Sequence, residues 1–184
     1  MKATGILSKE HRAIEYLLAA MEMQAAPLQS GAAARTEFFL DALVFLREFV
    51  DERHARKEEE ALLVVLMDAG SPKDSGPIAE ILADHARARE ITRNIEKHAQ
   101  IVLGGGAGAR ADLARDATEY VSLLTRHIRS EEDGLFPLAE QLIPAGVQAE
   151  LDAEFDRIEN AYLEAGIHDK YYGIAEKLAE EAAS

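Results

Sequence analysis

Two short stretches of this chain carry the same arrangement of side chains: Arg53-His54-Ala55-Arg56-Lys57-Glu58-Glu59-Glu60 and Arg126-His127-Ile128-Arg129-Ser130-Glu131-Glu132-Asp133. In each, an imidazole precedes a carboxylate by four residues. On a helix such a pair stands one above the other on a single face, ready to grip one object. Upstream of each pair a further histidine follows an acidic residue, as Glu10-His11 in the first half and Asp84-His85 in the second. The order His, then His-x-x-x-Glu, therefore occurs twice. A fold that uses it must bring two similar helical halves together.

The rest of the chain supplies those helices. Leu7, Ile14, Leu18, Met21 and Ala25 recur at three- and four-residue spacing, with His11 in the same stripe, which predicts a helix over about 6–23 ended by Pro27 and Ser30-Gly31. A second helix, about 33–69, points Leu43, Val50, His54, Glu58, Ala61 and Val65 inward, and Gly70-Ser71-Pro72 stops it. A third, about 77–103, carries Ile78, Ile81, His85, Ala88, Thr92 and Ile95 on one face. The run Gly104-Gly105-Gly106-Ala107-Gly108 reads as a flexible link. It lacks the Lys-Ser or Lys-Thr of a phosphate loop, and no strand precedes it.

The fourth helix, about 110–143, has Leu113, Ala117, Tyr120, Leu124, His127, Glu131, Leu135 and Leu138 inward, with a kink expected at Pro137. Beyond Pro144, segments 147–163 and 171–182 read as shorter helices about Gly166, serving to pack on the bundle or to offer a protein partner a surface. With strand signals absent, the expectation is an all-α, up-down-up-down four-helix bundle with additional C-terminal helices. The chain reads as one domain over 1–184, with the bundle at 6–143 and a helical extension at 144–184.

Composition narrows the chemistry. There is no cysteine, which excludes disulfides, thiolate metal sites and thiol redox chemistry; any metal must take nitrogen and oxygen ligands. The net charge of −14, with arginines alternating among carboxylates, argues against nucleic acid and anionic membranes as partners. No apolar run reaches membrane-spanning length and the N-terminus has no apolar signal core, so a cytoplasmic location is expected.

A single histidine on an apolar helix face is ordinarily a hydrogen-bonded core residue. Four of them with two glutamates, converging at one level of a bundle, are different. Unpaired carboxylates are costly to bury, and two of them repel; a dicationic centre removes both penalties. Six ligands overfill one tetrahedral site, and two symmetric glutamates suit bridging, so two ions are expected.

The order His11, His54-x-x-x-Glu58, His85, His127-x-x-x-Glu131, with Leu135-Phe136-Pro137 following, resembles the haemerythrin-like, or HHE cation-binding, family over about residues 6–143. The resemblance implies two non-haem iron ions, with His11, His54, His85 and His127 as terminal ligands and Glu58 and Glu131 as bridges. Zinc or manganese are possible substitutes. It also implies a small diatomic ligand such as dioxygen or nitric oxide, bound or sensed. The alternatives are a di-iron redox enzyme, acting on peroxide or nitric oxide or in iron–sulfur repair, and a non-catalytic iron-binding protein.

The chain departs from oxygen-carrying haemerythrins, which it resembles, at two places. Arg89 stands where they have a second third-helix histidine, and Glu132 occupies the spacing of their last-helix aspartate. Glu131 is preferred to Glu132 because it matches Glu58 in the repeat. Glu15 reads as a solvated residue beside Arg12, His98 and His168 as ordinary, and Tyr120 as a core residue whose hydroxyl lies near the metals.

Overall fold

The computed structural model describes residues 2–30, 35–160, 173–178 and 180, and every regular element among them is helical. Helix α1 is Lys2–Ser30. Helix α2 runs continuously over 37–68, helix α3 is Gly76–Leu103, helix α4 covers 110–142, and helix α5 is Ala145–Asn160. Residues 173–178 are also helical. Gly31, Ala33, Leu163, Gly166 and His168 lie outside the described residues, as does most of the expected 171–182 helix beyond 173–178 and 180.

Side-chain pairs fix the topology. Between α1 and α4, Thr4 meets Glu140, His11 meets Glu131 and Gln29 meets Thr118, so rising numbers on one helix meet falling numbers on the other. Between α2 and α3 the same reversal links Arg47 with Glu96, Asp51 with Arg89 and Glu59 with His85. Between α3 and α4 it links Asp84 with Arg126 and His98 with Asp116. Glu10 of α1 meets His54 of α2 and closes the circuit. The neighbours are antiparallel, as short connections require.

The core falls into two apolar clusters. One holds Ile14, Val50, Ile91, Leu124 and Ile128; the other holds Leu7, Ala61, Ile81 and Leu135. On α1, α2 and α3 the chain passes from one cluster to the other through a buried histidine, His11, His54 or His85, and on α4 it does so at His127 and Glu131, with Ile128 still in the first cluster. A polar layer thus divides the bundle where apolar side chains would otherwise continue. Helix α5 adds Leu151, Phe155 and Ile158 to the second cluster, so these residues serve packing on the bundle.

Two expectations change. Helix α1 does not stop at Pro27 but continues to Ser30. Proline removes one hydrogen bond, but burial of Ala25 and Leu28 on either side holds the last turn against the bundle. The second change concerns π turns, in which a residue bonds five positions ahead. α2 contains them at Leu46–Ala55 and Glu58–Leu62, and α4 at Glu131–Leu135. Leu63 N–H donates to the Glu58 carbonyl and Phe136 N–H to the Glu131 carbonyl.

Each π turn adds a residue and rotates the helix beyond it. Val65 and Leu138 are consequently only half-buried, while Leu62, Leu66 and Ala139 fill the core positions. At Pro137 the widened turn directly precedes the proline, where an ordinary α-helix would press a carbonyl against its ring.

Candidate metal centre

Both halves of the repeat deliver their side chains to the dividing layer. His54 and Glu58 are held on consecutive turns of α2, with His54 Nε2 at 3.2 Å from Glu58 Oε1; on α4 the corresponding His127 Nε2 to Glu131 Oε1 distance is 3.4 Å. The other histidines complete the layer. His11 Nε2 lies 3.1 Å from Glu131 Oε2, and His85 Nε2 lies 3.1 Å from Glu58 Oε2. All six residues are at most 5% exposed. They form two overlapping tetrads, His11-His54-Glu58-Glu131 and Glu58-His85-His127-Glu131, whose ligand-type atoms all lie within 4.8 Å of one another. Both glutamates belong to both tetrads.

The remaining imidazole nitrogens point outward, and each faces a carboxylate from the adjacent helix. Glu10 of α1 lies 3.0 Å from His54 Nδ1, Glu59 of α2 lies 2.7 Å from His85 Nδ1, and Glu132 of α4 lies 2.7 Å from His11 Nδ1. Asp84 of α3 stands 3.6 Å from His127 Nδ1, longer than a hydrogen bond. A carboxylate behind Nδ1 holds the proton there and aims the Nε2 lone pair inward. The sequence signal for this outer ring is plain in retrospect: each of the four carboxylates is the sequence neighbour of a histidine or glutamate in the layer.

Compensation inside the layer is incomplete. His54 Nε2, both Glu58 carboxylate oxygens and Glu131 Oε1 are buried without a hydrogen-bond partner among the described residues. Electrostatics shows the same conflict. Burial pushes Glu131 well above the usual carboxylate range, and the nearby Glu58 charge adds to it. Burial also works to raise Glu58, but the His54 and His85 imidazoles overcome it and hold it well below that range. His54 is raised to about 10 because Glu58 and Glu10 outweigh its burial, whereas burial, with the His54 charge beside it, lowers His11 to about 4.

Without a cation, then, the two glutamates are driven in opposite directions, Glu58 toward its charged form by His54 and His85 and Glu131 toward its neutral form by burial. A divalent cation relieves all of this at once by taking the inward lone pairs and countering both carboxylates. The donor set fits a metal.

Hemerythrin HHE cation binding domain is the family description that matches, over residues 2–139. The chain belongs to this family. No curated protein and no solved structure matches it. For a hemerythrin HHE domain the separate roles of Glu131 and Glu132 matter. Glu131 lies inside the layer and Glu132 outside it, against His11 and Ser8. Glu15 is exposed and pairs with Arg12 at 3.2 Å. His98 pairs with Asp116 at 2.6 Å, away from the layer.

Arg89 reaches Asp51 at 2.7 Å and Glu59 at 2.8 Å, so it braces the carboxylate behind His85. It also lines a cavity of about 290 Å³ that includes Val50, His54, Tyr120, Leu124 and His127. Tyr120 is buried in that wall, and burial, with the charge of Asp51, raises its hydroxyl pKa so that it keeps its proton. Tyr120 is a core residue, as the sequence suggests, whereas Glu10, Glu59, Asp84 and Lys57 are not found by sequence reasoning. No helix among the described residues is long and apolar enough to cross a membrane.

Proposed function

We propose that this hemerythrin HHE domain holds two non-haem iron ions and binds or senses dioxygen or another small diatomic such as nitric oxide. His11, His54, His85 and His127 serve as terminal ligands, and Glu58 and Glu131 as bridges. The observation that carries the reading is the sharing of both glutamates by two tetrads, each with its own pair of imidazoles. Iron is preferred to zinc or manganese on the family likeness, since zinc competes well by intrinsic affinity.

Bound iron supplies a redox couple and coordination positions for an incoming ligand. Four imidazoles and two carboxylates do not complete two octahedral shells, and Arg89 contributes no lone pair. The cavity against His54, His85 and His127 gives a diatomic room, being much larger than the roughly 30 Å³ share of one water. Its walls act in two ways. Val50, Leu46 and Leu124 limit water, and Tyr120 presents a protonated hydroxyl. That hydroxyl is also what favours the second reading, a di-iron redox enzyme that turns over peroxide or nitric oxide, because such chemistry needs a proton donor.

The test is anaerobic loading with Fe(II), elemental analysis, and stopped-flow mixing with dioxygen, nitric oxide or azide followed in the visible range. Two ions per chain and a ligand-dependent spectrum are expected. One ion per chain, or a spectrum indifferent to all three ligands, refutes the proposal. Sustained consumption of peroxide or nitric oxide selects the enzyme.

A further inference from the structure

The outer supports of the two halves are unequal. Behind His54, Glu10 pairs with the ammonium of Lys57, which also lies 2.8 Å from Glu159 of α5. Glu159 accepts a 3.0 Å hydrogen bond from Arg53 as well. Glu10, Lys57 and Arg53 are 1–2% exposed. A buried chain of alternating charge thus runs from α5 to an inward-facing imidazole. In the other half Glu59, behind His85, is held by Arg89, whose side chain is 36% exposed, and behind His127 no buried cation takes part among the described residues. Asp84 stands off at 3.6 Å, its partner Arg126 has a side chain 66% exposed, and the position matching Lys57 in the repeat is the exposed Ser130.

Burying an ammonium is tolerable only when its partners are in place. Lys57 is satisfied by Glu10 and Glu159 together, so seating α5 and fixing Glu10 are one event. Glu10 in turn fixes the His54 ring. Outer partners of this kind change metal affinity by about 10- to 100-fold.

We propose that Lys57 and Glu159 are positioning residues that make the His11/His54 half of the centre the tighter one, so that the His85/His127 half fills last and empties first. The inference rests on the two-ion reading above and adds an order of binding and a role for α5.

Full-length protein loaded anaerobically with Fe(II) is challenged with a chromogenic Fe(II) chelator. Wild type should release its two ions in two phases separated by at least about tenfold. Lys57→Met should accelerate the slow phase by about 10- to 100-fold and leave the fast phase unchanged, while Lys57→Arg, which keeps the charge and the donors, should restore it. Glu159→Gln should act like Lys57→Met.

In zinc-loaded protein the His54 Nδ1 proton resonance should shift in the same variants. A purely structural role would lower the melting temperature and speed both phases alike, which overturns the proposal. A single phase from a two-ion wild type, or an unaltered slow phase in both charge-removing variants, also overturns it while leaving the two-ion reading intact. A one-ion wild type defeats both. Should Lys57→Met fail to fold, Glu159→Gln decides, since that side chain sits at the partly exposed end of the chain of charges.

Discussion

Replacing Glu131 with glutamine should reverse the ranking of two proteins when metal is removed. In metal-free wild type Glu131 is buried, its Oε1 has no hydrogen-bond partner, and burial together with Glu58 holds its pKa well above the usual value. A carboxyl whose folded pKa is raised binds its proton more tightly folded than unfolded. It therefore costs stability as pH rises from the unfolded value of about 4.5 through the folded one. Glutamine is neutral at every pH and carries no such cost.

Near pH 4.5 metal-free Glu131→Gln should match wild type; by pH 8 it should be the more stable by about 1–3 kcal/mol, the usual cost of a buried unsatisfied polar group. For a chain of this size that is roughly 2–12 °C in melting temperature. With iron bound the sign reverses. An amide cannot counter the cations, and breaking a buried charge pair costs about 3–5 kcal/mol. Calorimetry of stripped and iron-loaded proteins at pH 5 and pH 8 measures both arms. Metal-free Glu131→Gln melting below wild type at pH 8, or the same ranking with and without iron, would refute the reasoning.

The same geometry sets other outcomes. Stripping the metal should lower the melting temperature by roughly 10–20 °C, because each site filled at a hundredfold excess over Kd contributes about 2.7 kcal/mol; an unchanged scan counts against the coupling. His54→Ala and His127→Ala should abolish two-ion binding on elemental analysis, whereas His98→Ala, whose partner is Asp116, should keep both ions. Acidification from pH 7 to pH 5 should release metal, since imidazoles ligate only when neutral, and a chelator-free dialysis series reads it. Arg89→His should place an imidazole in the cavity wall, slow azide binding in stopped flow and extend the life of any dioxygen adduct; azide binding as fast as wild type would show that the side chain does not reach the centre.

The helices and the six inward residues were legible because period and chemistry coincide in this sequence: each ligand-type residue stands in an apolar stripe. What escaped the reading escaped for physical reasons. The π turn at Glu58–Leu62 has no proline or glycine within it to announce it, so the inward face after Glu58 came out one residue off at Val65. At Glu131–Leu135 the following Pro137 signals a disturbance of the helix but not its form, a widened turn just before the proline. Lys57 could not be read as buried, because a lysine between Arg56 and Glu58 looks solvated until α5 brings Glu159 to it. The outer carboxylates were present as sequence neighbours of the ligands, but which imidazole each one meets depends on the partner helix.

That cross-helix pairing bears on how the bundle chooses its handedness. Four antiparallel helices with short links can be arranged turning to the left or to the right, and apolar stripes alone discriminate weakly between the two mirror arrangements. Here Glu10 reaches α2, Glu59 reaches α3, Asp84 faces α4 and Glu132 returns to α1. Every step goes in one rotational sense. In the opposite arrangement each carboxylate would face away from its imidazole and be left buried or stranded without a partner, a penalty repeated on every helix. The carboxylate ring therefore favours one handedness over its mirror arrangement, and it is written in residues adjacent to the ligands.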